Sequence, residues 1–262
     1  MTAPTTSIST GRQDADSGAA PVGQSVLGQT RAELTMTLRR GESLLVTIIM
    51  PVLFLVFFGS VLPVPKIAGK TINFLLPGIV AIAIISTGMV SLGIATAYER
   101  YYGVLKRLGS SPLPRWGLLL AKLISVLALE VAQIILLVGI AAVFFGWRPS
   151  SAAWVAIPVA LLGSAVFAGL GMLMAGGLRA EATLAGANGL YVVFLAIGGI
   201  FVPTNHFPAP IAAVCNVLPP AALSGALRGS LTGHGAPLGD VLLLVGWGVV
   251  ILVAAARLFK WE

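Results

Sequence analysis

The sequence predicts an all-α integral membrane protein with six transmembrane helices, and three observations predict it. Hydrophobic residues make up 57% of the 262 and charged residues only 10%, a balance that a water-soluble domain could not cover with polar surface. The apolar residues gather into six runs, most of them long enough to cross a hydrocarbon core, which takes about 20 helical residues. The basic residues between those runs fall unequally on alternate loops, as the positive-inside rule requires.

Residues 1–24, rich in Thr, Ser, Ala, Gly and Gln without an apolar run, read as a disordered cytoplasmic tail, and residues 25–262 as a single transmembrane domain. The tail lacks the apolar core of a signal peptide, so the first span is expected to do the targeting. From Val26 to Glu42, Leu27, Leu34 and Leu38 lie near one helical stripe, and Arg39 and Arg40 follow at its end. That pattern suits a helix lying on the membrane surface, with Arg31 snorkelling at the stripe's edge.

The spans are read between charges. Ser43–Pro65 is uncharged over 23 residues, Thr71–Tyr98 over 28, Pro149–Leu178 over 30 and Ala182–Asn205 over 24. Leu123–Trp147 runs 25 residues with Glu130 as its one interruption, and Val241–Ala256 runs 16 and must borrow Leu238 and Phe259. The expected helices therefore cover about 43–63, 72–98, 117–146, 152–178, 183–203 and 238–258. Pro51, Pro77 and Pro158 predict kinks. The stretch Ile211–Leu231 is split by Pro219 and Pro220 and carries Asn216 and Arg228, so each half is too short to cross. It reads as a pair of short helices that enters and leaves the membrane on one side.

With the N-terminus placed in the cytoplasm, Arg12, Arg31, Arg39, Arg40, Arg100, Lys106, Arg107, Arg115, Lys122, Arg179, Arg257 and Lys260 lie inside. Lys66, Lys70, Arg148 and Arg228 lie outside, a split of twelve to four. A seventh span would move Arg257 and Lys260 outside, so six spans with both termini cytoplasmic fit best. This interleaving also accounts for the net charge of +7 without a continuous basic patch, and nucleic acid is not an expected partner. The single Cys215 cannot form an internal disulfide.

Between the second and third spans lies the longest charged stretch, Glu99–Trp116, ERYYGVLKRLGSSPLPRW. Read as one short amphipathic helix ending near Gly109, it places Tyr101, Leu105 and Leu108 on one stripe and Glu99, Gly103, Lys106 and Arg107 on another. Pro112 and Pro114 prevent its continuation.

The order Glu99-Arg100, then Gly103-x-Leu105-Lys106-Arg107-Leu108, then Ser111-Pro112-Leu113-Pro114-Arg115-Trp116, resembles the first cytoplasmic loop of ABC-2 type permeases, such as daunorubicin-resistance permeases. The likeness in hydropathy and loop order extends from about Thr30 to Arg257, although Tyr101-Tyr102 stands where a more polar pair is expected. The resemblance implies a cell-membrane efflux protein related to antibiotic-resistance exporters. It implies an elbow helix at the N-terminus, a re-entrant hairpin before the last span, and a coupling helix carrying Glu99, Arg100, Gly103, Lys106 and Arg107. It also implies two copies of a separate ATPase subunit, a second permease subunit as homodimer or heterodimer, and ATP and Mg held by the ATPase with no cofactor on this chain. The implied substrate is an amphiphilic drug or lipid, passing where the second and fifth spans meet the partner permease. On those spans Ser86, Met89 and Gly93, and Asn188, Tyr191 and Leu195, form the candidate pathway stripes.

No catalytic or metal-ligating constellation stands out. Gly69-Lys70-Thr71 has the tail of a phosphate-binding loop, but position 64, where the motif needs glycine, is Val. His206 and His234 have no Cys, Asp or Glu at ligand spacing. Glu130, with Gln133 one turn on, is the acid within a span; it reads either as a cation or proton site or as a carboxyl hydrogen-bonded between helices. Ala165-x3-Gly169, Gly171-x3-Ala175 and Ala185-x3-Gly189 permit close helix approach. Three other functions remain open from the sequence: a permease for polysaccharide or glycolipid, a secondary transporter coupled through Glu130, and a membrane assembly protein without transport.

Overall fold

The computed structural model describes residues 22–39, 41–61, 71–109 and 114–258. Residues 1–21, Lys66, Gly69, Lys70 and Ser111–Leu113, on which several expectations rest, lie outside the described residues. Ten helices of six or more residues carry the fold: α1 Val22–Arg39, α2 Gly41–Val61, α3 Thr71–Tyr101, α4 Val104–Gly109, α5 Arg115–Phe145, α6 Ala156–Gly177, α7 Ala180–Ile197, α8 Ala209–Val217, α9 Pro219–Thr232 and α10 Leu238–Leu258. No strand occurs among the described residues.

α3, α5, α6, α7 and α10 are each long and apolar enough to cross a membrane, whereas α2 is apolar over the shorter stretch Thr47–Val61, and the bent pair α8–α9 reaches crossing length only if its two helices are taken together. Most ends shift by a few residues from the expected ones, and three of the differences matter for the fold. The segment 22–24, assigned to a disordered tail, is the first turn of α1. α3 runs on to Tyr101 instead of stopping at Tyr98. α7 stops at Ile197 instead of reaching residue 203, because Gly198 and Gly199 follow and Gly199 takes φ +65°, which a helix cannot contain.

α3 is the central rod. It packs on α2, α5, α6, α7 and α9, and 83% of its apolar window is buried within the chain. Lipid is as apolar as leucine, so helices gather in a membrane through close packing and polar contacts more than through the hydrophobic effect. α3 meets that requirement through glycine: a Cβ on Gly93 would stand 3.0 Å from the Gly171 Cα, and one on Gly171 would stand 2.7 Å from the Met89 carbonyl oxygen. Halfway along, Ser86–Ser91 forms a π-helical turn that redirects the polar side chains around it.

α8 and α9 are bent by 79° at Leu218. α9 bonds back to the end of α7, with Ser224 Oγ donating to Gly198 O at 2.9 Å, and Gly233 just beyond α9 packs on Ser150 in the α5–α6 connection. Those two contacts hold α9 at one end of the bundle, against the end of α7 and the α5–α6 connection. Trp247 Nε1 of α10 donates to Val217 O at 2.8 Å and holds the bend.

Candidate functional site

The loop end of the bundle is organised around Lys122, two turns into α5. Its ammonium lies 2.9 Å from Glu33 Oε1 on α1 and 2.6 Å from Glu99 Oε2 on α3, with all three side chains at least nine-tenths buried. Gln29 Nε2 also donates to Glu33 Oε1, at 3.0 Å. An ammonium at this depth needs counter-charges, and losing one partner of such a buried set costs on the order of 3–5 kcal/mol. The set clamps the surface helix, the central rod and α5 together. α1 accordingly turns Val26, Thr30 and Glu33 toward the protein and leaves Leu27 and Leu38 exposed for the bilayer.

Arg100 makes a second tie. Its Nη1 donates to Gly176 O at 2.5 Å and its Nη2 to Leu178 O, so a guanidinium sits on the carbonyl end of α6, where the helix dipole favours a cation. α3 then ends at Tyr101, and Gly103 adopts φ +69° with its N–H bonded to Arg100 O. This break corrects the expectation of one continuous helix from Glu99 to Gly109. The Glu99, Gly103, Lys106, Arg107 stripe presupposed an unbroken helix; in the structure Glu99 is buried on Lys122 and Arg100 is engaged with α6. Lys106 and Arg107 are exposed on α4, and Gly103 is half-buried. On the other expected stripe, Leu105 is buried against Val26, Leu118 and Ala121 and Leu108 packs on that cluster. Tyr101, assigned to the same stripe, does not join them: it is exposed, with its ring edge-on to Tyr102 at 5.2 Å. The outward face is therefore Tyr101, Tyr102, Lys106 and Arg107.

A polar layer crosses the middle of the bundle. Gln133 of α5 donates through Nε2 to Thr47 O of α2 at 3.0 Å, and its Oε1 accepts from Thr87 of the π-helical turn at 2.9 Å. One turn earlier Glu130 accepts from the Ser164 hydroxyl of α6, while its Oε1 is buried without a hydrogen-bond partner among the described residues. The side chains of Tyr191 on α7 and Ser86 on α3 lie near each other, so these two pathway candidates do meet. The other candidates separate: Met89 and Gly93 are buried in the α3–α6 contact, Asn188 is exposed with its amide on Leu184 O, and Leu195 is half-buried. The α3 stripe was expected at a subunit interface, and the close α3–α6 contact places Met89 and Gly93 inside the chain instead.

An apolar cavity of about 380 Å³ opens nearer the loop end, between α3, α5, α6 and α10, lined by Leu92, Leu123, Ala168, Met172 and Leu252 with Lys122 at its edge. The sequence did not single it out. Lys122 and Glu33 had a detectable signal, since a lone base inside an apolar run and an acid on a membrane-surface helix each demand a partner. The π-helical turn had none. Among the described residues no three His, Cys, Asp or Glu side chains gather to hold a metal ion, and His206 and His234 are exposed.

The family model described as ABC-2 type transporter matches residues 26–231, well over half of the chain, from α1 through α9. No individually curated protein matches the sequence.

Proposed function

The chain belongs to the ABC-2 type transporter family and is a multi-pass membrane permease, and on that premise we propose that it is the membrane subunit of an ATP-driven exporter of amphiphilic molecules. Each complex holds two permeases and two copies of a separate ATPase subunit, which bind the ATP and Mg. Both chain termini are cytoplasmic, as the twelve-to-four division of basic residues favours.

The observation that carries this reading is the mounting of α4. Leu105 fixes α4 to α1 and α5, and Tyr101, Tyr102, Lys106 and Arg107 are turned outward at the end of the central rod. Aromatic and basic side chains on a rigid base make a suitable contact for another protein. Movement of that contact would pass through the Lys122 set to α1 and α5 and through Arg100 to α6. A rigid-body tilt of these packed helices, driven by closure of the ATPases, would open the pathway between two permeases outward. α7, with only 22% of its apolar window buried in the chain, offers surface for the second permease.

An amphiphilic drug or lipid suits the apolar Leu and Met lining of the 380 Å³ cavity better than a polysaccharide does. The rival secondary transporter has one observation in its favour, the unpartnered Glu130 Oε1. Purification and reconstitution separate the two. The exporter co-purifies with a stoichiometric ATPase and moves an amphiphilic dye only when ATP is supplied; uptake driven by a proton gradient without ATP would support the rival and overturn this reading.

A further inference from the structure

At the end of the bundle opposite α4, a cavity of about 360 Å³ lies between the start of α3, the α8–α9 hairpin and the start of α10. It is about ten times the space of one water molecule in the liquid. Arg228 of α9 enters it with a fixed orientation: the guanidinium stands 3.9 Å from the centroid of the Phe74 ring, and Nη2 donates to Gly199 O at 3.0 Å. Its Nε is buried with no hydrogen-bond partner among the described residues. Asp240, in the first turn of α10, lines the same cavity and feels the charge of Arg228, yet the two form no ion pair. Gly225 lies against Asp240, and a side chain there would run into the Asp240 carboxylate. Thr204 and Asn216 add neutral polar groups to the wall.

A pair whose role was only to fasten the hairpin gains by closing, because a buried guanidinium edge without a partner is costly. Here a cation and an anion are held apart across open space. We propose that this cavity is a binding site for a zwitterionic head group, an anionic phosphate or carboxylate bound by Arg228 and an ammonium bound by Asp240. The planar guanidinium suits a tetrahedral or planar anion through two parallel N–H bonds, and its stacking on Phe74 removes the freedom that binding would otherwise have to freeze. Thr204 and Asn216 are placed for the linking atoms. The proposal concerns a site remote from α4 and does not depend on the ATPase partnership.

The test uses the purified full-length permease, titrated with phosphatidylethanolamine and, separately, phosphatidylglycerol, and read by native mass spectrometry. Phosphatidylethanolamine should bind at least tenfold more tightly, because phosphatidylglycerol carries the phosphate without the ammonium. Arg228→Lys, which keeps the charge and removes Nε, and Asp240→Asn should each reduce that preference to threefold or less in protein that still melts cooperatively above the assay temperature. Competition by soluble O-phosphoethanolamine would identify a free solute as sufficient; persistence of lipid binding in its presence would identify the lipid as the ligand. Equal binding of the two lipids by the wild type, or a preference that survives in both variants, would overturn the proposal.

Discussion

α3 and α7 are both apolar helices of membrane-crossing length, yet 83% of the apolar window of α3 is buried inside the chain against 22% of that of α7. Both carry small residues at four-residue spacing, Gly93 and Ala97 on α3 and Ala185 and Gly189 on α7, so apolarity and a small-residue motif do not by themselves place a helix. The difference lies in what each glycine meets. Gly93 and the facing Gly171 touch backbone, whereas Gly189 of α7 has no neighbouring atom within 4 Å of where its Cβ would be. A motif of one type thus serves packing within the chain on α3 and leaves an open surface on α7.

The sharpest way to break this comparison is to fill both kinds of glycine. Gly171→Val forces bulk against the Met89 carbonyl, which cannot move aside as a flexible side chain could, and should cost roughly 1–3 kcal/mol or more and lower the melting temperature of the detergent-solubilised protein clearly. Gly189→Val should change monomer stability by no more than about 0.5 kcal/mol. A shift in the permease–permease equilibrium for Gly189→Val alone would mark α7 as the subunit contact, and equal damage from both substitutions would end the contrast.

Two ionisable residues on α5 extend the comparison, eight residues apart. Lys122 has two carboxylates and Glu130 has one hydroxyl. Lys122→Met should destabilise by about 3–5 kcal/mol, since it leaves two buried glutamates facing each other, and should release α1, read as faster modification of a cysteine placed at Thr30. Glu130→Gln keeps a group able to bond Ser164 and should cost within about 1 kcal/mol, with ATP-driven transport retained. Abolished transport in a folded Glu130→Gln protein would instead make the carboxyl a working group.

Much of this fold was legible in the sequence because membrane crossing is a one-dimensional property: a run of apolar residues between charges gives each span whatever surrounds it. The faces were less legible. In a soluble helix polarity marks the outer side, but here α3 is apolar on every face through Ile85, and no local pattern marked it as the central helix. Glu99 was placed on the outward stripe because helical periodicity was carried through Gly103, where the chain turns at φ +69° and a new helix begins. Its partner Lys122 lies 23 residues away and Glu33 a further 66 residues back, separations that no local pattern encodes. Leu105 and Leu108 do share one side of the chain, as their common stripe implied, because that rests on the short-range periodicity of one turn. The hairpin was legible from Pro219 and Pro220, but the gap between Arg228 and Asp240 needed the packed arrangement of three helices.

The central claim is that the outward face at the end of α3 receives the ATPase, and Tyr102 and Lys106 test it most directly because both are exposed and neither belongs to the Lys122 set. Tyr102→Ala combined with Lys106→Glu should leave the permease inserted and as heat-stable as the wild type. In proteoliposomes the double variant should lose most ATPase co-purification and at least tenfold in substrate-stimulated ATP hydrolysis, as expected when an aromatic anchor is removed and a charge reversed at a docking contact. Stoichiometric ATPase with undiminished stimulation in that variant would contradict the assignment of this face as the coupling surface.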